Sequence, residues 1–152
     1  MQHDRRKVLT QTAVLLGVAL TGAALPGAAL AYSQSAFDAK TVADVLKALG
    51  ASAAVESKEV TITAPDIAEN GAVVPLAAAT TLANVKQLLV LAEKNPNTLV
   101  AAFNVSEFVE PSFSTRAKLG QSSDVYAVAI MNDGKALYAK KEVKVTLGGC
   151  GG

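Results

Sequence analysis

About seven short apolar or alternating stretches, with turn signals about every 8 to 12 residues, follow one amphipathic helical stretch. Together they predict a mainly β chain: an immunoglobulin-like β-sandwich of about seven strands preceded by one amphipathic helix. The 152 residues hold one cysteine and no tryptophan, so the paired cysteines and the tryptophan of antibody domains are both missing. Such a sandwich would be held by packing alone.

The first 31 residues read as something other than domain. A basic opening, a weakly apolar stretch and the small residues Ala29, Leu30 and Ala31 make an export signal with an A-x-A cleavage pattern. Arg5 and Arg6, followed by Lys7, Val8 and Leu9, resemble the twin-arginine motif. A permanent anchor is the competing reading, because Val8 to Ala31 is long enough to span a bilayer. Thr10, Gln11, Thr12, Gly17, Thr21 and Gly22 dilute that stretch, however, and Pro26 breaks it. The expectation is a signal over 1–31, cleaved on twin-arginine export to the periplasm, with no membrane attachment afterwards.

Cleavage would leave residues 32–152, one domain's worth of chain. The 14 basic residues would lose Arg5, Arg6 and Lys7 and the 13 acidic ones would lose Asp4, so the remainder carries 11 − 12, a formal charge of −1. That balance offers no electrostatic basis for nucleic-acid binding. The only histidine, His3, would leave with the signal. A hydroxyl or thiol nucleophile usually needs a nearby base, and zinc usually needs nitrogen or sulfur ligands, so the residue inventory argues against an enzyme and against a metal site.

Residues 35–50 place Val42, Val45, Leu46 and Leu49 on one helical face, with Ser35 and Asp38 spaced as a capping box and Gly50 as the stop. Residues 59–65 alternate Val60 and Ile62 with Thr61 and Thr63, as a half-buried strand does. Asn70-Gly71 marks a turn before a strand over 73–79, which Pro75 pushes toward a sheet edge. Residues 85–94 fit helix or strand by periodicity, but the Asn95-Pro96-Asn97 turn and the apolar run over 98–105 favour a strand pair. Residues 112–119 alternate, and 124–131 joins 135–147 through Asn132-Asp133-Gly134, a strong hairpin signal. Phe103, Phe108, Phe113 and Tyr126 are assigned to packing. The carrier domain thus covers 32–147.

What remains is GGCGG, residues 148–152. Val143, Val145 and Leu147 alternate with Lys144 and Thr146, which predicts that the chain stays in the sheet up to Leu147. Gly148, Gly149, Gly151 and Gly152 then surround Cys150 with residues that have no side chains to pack and a high entropic cost of ordering. The expectation is a mobile arm that extends the thiol roughly 10 Å from the sheet. No second sulfur exists for an internal disulfide. Cys150 is then either a handle that other proteins load and unload or the link of an intermolecular disulfide in a secreted structural module.

The terminal GGCGG after KEVKVTL, together with STRAKLGQSSDVYAVA (114–129), APDIAENGAVVPLA (64–77) and the twin-arginine leader, resembles the SoxY family, sulfur-carrier subunits of bacterial thiosulfate-oxidising Sox systems. The resemblance implies a heterodimer with a SoxZ-like sandwich subunit. It implies that Cys150 holds thiosulfate-derived intermediates while partner enzymes convert them to sulfate: a haem c conjugating enzyme, a manganese hydrolase and a molybdenum sulfane dehydrogenase. It implies that those cofactors belong to the partners and none to this chain. A disulfide homodimer through Cys150 stays open beside it.

Overall fold

The computed structural model describes residues 33–146. Two short helices, α1 (Gln34–Asp38) and α2 (Val42–Ala48), precede nine strands: β1 (Ala54–Glu56), β2 (Val60–Thr63), β3 (Ile67–Ala68), β4 (Val74–Thr80), β5 (Val85–Ala92), β6 (Leu99–Asn104), β7 (Ser112–Ala117), β8 (Ser123–Met131) and β9 (Ala136–Val145). They form a larger sheet in the order β1-β9-β8-β5-β6, with β3 also on β9, and a smaller sheet in the order β2-β4-β7.

The predicted single helix is two. Thr41 takes an extended conformation and caps α2, accepting from the Asp44 amide at 3.1 Å, while its own hydroxyl donates to Asp44 Oδ2 at 2.7 Å. The capping pair is therefore Thr41–Asp44 rather than Ser35–Asp38, and α1 starts from Ser33 without a side-chain cap. Between the helices the Ala39 carbonyl accepts from the Thr98 amide at 3.1 Å, so a tertiary bond takes the place of the next helical one. Gly50 does end α2: at φ 71° its amide bonds the Lys47 carbonyl and that of Ala51 bonds Leu46, a Schellman stop. Replacing Thr41 with alanine removes the cap of a seven-residue helix. It should cost about 1 kcal/mol in a denaturant titration.

The helices cover the outer face of the larger sheet, where Ala36, Val45 and Leu46 meet Leu89, Leu91, Leu99, Val128 and Ile130. Its inner face packs on the smaller sheet through Val60, Val74, Leu76, Leu88, Val90, Val125 and Val143. Strand β5 lies between both layers, and Leu88 to Ala92 are each 0% exposed. A strand covered on both faces has no polar side to alternate, which is why 85–94 leaves helix and strand open in the sequence. Each fully buried leucine there contributes about 1.5–3 kcal/mol.

Segment 54–68 joins the sheets along one side. It pairs parallel with β9 at Ala54↔Ala136, crosses to pair antiparallel with β4 at Ile62↔Ala78, and returns to β9 at Ala68↔Val145. Strand β4 is therefore central in its sheet, and Pro75 is not on an edge strand. The register explains how the sheet accepts it: β2 stops at Thr63↔Ala77 while β7 continues to Val74↔Ala117, so β4 has one neighbour where Pro75 stands. The Asn132-Asp133-Gly134 hairpin forms as expected, with Gly134 at φ 85° donating to the Met131 carbonyl at 3.0 Å. Of the residues assigned to packing, Phe103 stacks on Phe113 with centroids 4.5 Å apart, whereas Phe108 is 89% exposed.

Candidate functional site at the end of strand β9

Cys150 and Gly148, Gly149, Gly151 and Gly152 lie outside the described residues, as do Leu147, Arg5, Arg6 and the whole predicted signal. The structure describes the root from which that segment departs. Strand β9 ends at Val145, and two segments fix the residues at its end. The Lys144 amide donates to the Asp66 carbonyl at 3.0 Å and the Thr146 amide to the Ala68 carbonyl at 3.1 Å. From the other side, Ser122 Oγ accepts from the Val145 amide at 3.0 Å.

Beneath this root lies Gly71. A Cβ there would stand 2.6 Å from the Leu119 carbonyl oxygen and 2.8 Å from Val145 Cγ1. Its carbonyl accepts from the Leu119 amide at 2.7 Å, and the Asn70 side chain closes the turn by accepting from the Ala72 amide at 2.9 Å. In the sequence Asn70-Gly71 is legible only as a turn. The close approach of three segments depends on long-range packing, for which a single sequence carries no signal.

A surface ion pair braces the same corner: Lys141 Nζ lies 2.9 Å from Asp66 Oδ1 and also donates to the Ala64 carbonyl at 2.7 Å. The hydrogen bond and charge of Lys141 hold the Asp66 carboxyl below its ordinary value of 3.8. A lowered folded value means that the contact supports folding above pH about 3.8 and is lost as the pH falls through the folded value. In Lys141→Met the Asp66 carboxyl carbon should titrate at a higher pH than in the wild type. An unchanged midpoint would show that Lys141 is not the cause.

The larger concavity, about 950 Å³, runs along the outer sheet face beside α2 and contains Tyr126, Tyr138, Glu93 and Lys94. Tyr126 Oη donates to Glu93 Oε2 at 3.2 Å, and partial burial together with the Glu93 charge raises its phenol above 10.0, so it is protonated at neutral pH. A second concavity, about 610 Å³, opens where β4 overhangs β2 and is lined by Pro65, Pro75 and Arg116. Among the described residues no group of three or more histidine, cysteine, aspartate or glutamate side chains could hold a metal ion. Among the same residues no helix is long and apolar enough to cross a membrane.

Fold and site define a class: a β-sandwich domain whose last strand leads from a braced root into the segment that holds the chain's single cysteine. The model of the family "Sulfur oxidation protein SoxY" matches residues 45–150, a span that includes Cys150. The chain belongs to the SoxY family of sulfur carriers. It is similar to the sulfur carrier protein SoxY of Chlorobium limicola f thiosulfatophilum, at 32% identity and a TM-score of 0.63 over 70% of this chain and 97% of that one. A variant of the superoxide reductase (neelaredoxin) of Ignicoccus hospitalis shares the fold alone, at 18% identity and a TM-score of 0.51 over 57% of this chain and 79% of that one. No curated protein matches at a significant level.

Proposed function

We propose that this chain is a periplasmic carrier of sulfur-oxidation intermediates, exported by the twin-arginine route through Arg5 and Arg6, with Cys150 as the point of covalent attachment. The observation that carries the reading is the family match, which continues through Cys150. Gly148, Gly149, Gly151 and Gly152 carry no side chains, so the sequence around Cys150 suits a carrier arm that enters a narrow cleft. Ordering such an arm costs about 1–2 kcal/mol per residue, which opposes docking and favours release to the next enzyme.

The chemistry is divided between the arm and its partners. A haem c conjugating enzyme accepts two electrons as the Cys150 thiol and thiosulfate join through a new sulfur–sulfur bond, with loss of the thiol proton. A manganese hydrolase adds water to the outer sulfone, releasing sulfate and two protons and leaving a persulfide on Cys150. A molybdenum sulfane dehydrogenase accepts six electrons as three waters supply the oxygens and lose six protons, which turns the persulfide into a cysteine S-sulfonate, and a second hydrolysis releases sulfate and frees the thiol. The carrier's own domain supplies none of these steps, and a SoxZ-like sandwich subunit is its standing partner.

Intact mass spectrometry tests this directly. The protein without its signal, incubated with thiosulfate and the haem c enzyme, should gain one thiosulfate-derived mass that a thiol reductant removes. No gain of mass would overturn the reading. A covalent dimer as the main product in the periplasm would favour the structural module instead.

A further inference from the structure

Strand order gives the sandwich two ends. The root of the arm is at one, beside Ser123↔Val143. The turn between β6 and β7 is at the other, where the Val105 amide bonds the Lys86 carbonyl at 3.0 Å next to Val85↔Met131. This turn is firmly built: the Val109 amide bonds the Ser106 carbonyl at 3.1 Å, and the Pro111 carbonyl accepts from the Thr80 amide at 3.0 Å. At its tip Phe108 is 89% exposed and Val109 40%, beside a concavity of about 460 Å³. Glu107 and Glu110 flank them, and neither carboxylate has an ion-pair partner among the described residues.

We propose that the Ser106–Pro111 turn is the anchor by which this chain holds a second β-sandwich subunit, with Phe108 seated in an apolar pocket that lysine or arginine side chains border. The proposal rests on the carrier reading above and adds the surface to it. Three features support this assignment. An exposed phenylalanine on a hydrogen-bonded turn supplies a large apolar contact area with only two side-chain torsions to fix, and aromatic residues are enriched in the cores of interfaces. Two unpaired carboxylates around it call for cations on the other side, and a symmetric contact between two copies of this chain would confront those carboxylates with each other. The third feature is distance. Strand β8 spans nine residues between the two ends, about 30 Å. Cys150 lies four residues beyond Thr146, a reach of about 14 Å at most. A partner seated on Phe108 therefore contacts the end of the sandwich opposite the one that leads to the thiol, which leaves that end open to other proteins.

The test titrates purified SoxZ-like subunit into three forms of the protein: wild type, Phe108→Ser, and the double variant Glu107→Lys with Glu110→Lys. Phe108→Ser should weaken binding by about 30-fold or more, the scale of an aromatic hot spot. The double charge variant should bind more slowly and lose the salt dependence of the wild type. Because these side chains stand outside the core, unchanged circular dichroism and melting temperature will confirm that each variant is folded. Binding of both variants within about threefold of the wild type would overturn the proposal, that being under 1 kcal/mol. So would a wild-type homodimer that Phe108→Ser dissolves, since the turn would then belong to a second copy. If wild-type protein acquires thiosulfate but does not bind the subunit, the proposal falls and the carrier reading stands. If it does neither, both fall together.

Discussion

Cys150→Ser should acquire no thiosulfate-derived mass in the presence of the haem c enzyme, thiosulfate and oxidising equivalents, and should release no sulfate with the full set of partners. Loss should be complete rather than partial. The step joins two sulfur atoms with removal of two electrons, and a serine hydroxyl offers neither an oxidisable sulfur nor a comparable nucleophile at neutral pH. No second cysteine exists to take over. The variant should fold like the wild type, within about 0.5 kcal/mol, as substitutions away from core, caps and buried networks do. Every buried apolar residue of the two core clusters lies between Ala36 and Val143. Intact mass and thermal unfolding on the same sample separate the two effects. An adduct on Cys150→Ser would place the attachment point elsewhere and end the carrier assignment of that residue.

The parts of this fold legible in the sequence are those written locally. Alternation in 59–65 and 112–119 identifies β2 and β7, and Asn-Asp-Gly identifies the β8–β9 hairpin, because two-residue periodicity and left-handed turn geometry are properties of neighbours. Where tertiary contacts override local preference, sequence and structure part. The helix over 35–50 splits because the Ala39 carbonyl is taken by Thr98, 59 positions away, while Thr41 can cap a new start. Pro75 reads as an edge signal, yet it sits in a central strand at the overhang that β2 leaves open. Phe108 reads as packing because a one-dimensional pattern cannot show that the β6–β7 turn points its tip at solvent. For the site the division is different. Cys150 and its glycines stand out by composition alone, while the bracing at their root, through Ser122, Ala68 and Gly71, exists only once three distant segments meet.

That bracing gives Gly71→Ala a large expected effect with no change of polarity or charge. Its backbone is not in the left-handed region, so the requirement for glycine is contact rather than conformation. The added methyl would meet a backbone oxygen at 2.6 Å and a Val145 methyl at 2.8 Å, both far inside van der Waals distance. The Leu119 carbonyl cannot rotate away, because its own amide is tied to Gly71 at 2.7 Å and the Leu119 side chain is 2% exposed in the core. Relief must come from parting the 69–72 turn from β9, at a cost of about 2–3 kcal/mol, the upper part of the usual range for overpacking. In a domain of this size that is a fall in melting temperature of roughly 5–15 °C. Gly120→Ala is the matched control, since a Cβ there meets nothing within 4 Å, and it should be neutral or slightly stabilising. The disturbance should also reach the root of the arm: the Thr146 and Lys144 amides, which bond Ala68 and Asp66, should exchange with solvent faster in Gly71→Ala than in Gly120→Ala. Equal stability and equal exchange in the two alanine variants would mean that Val145 and Leu119 yield without consequence, and that the point from which Cys150 is carried is not fixed by this contact.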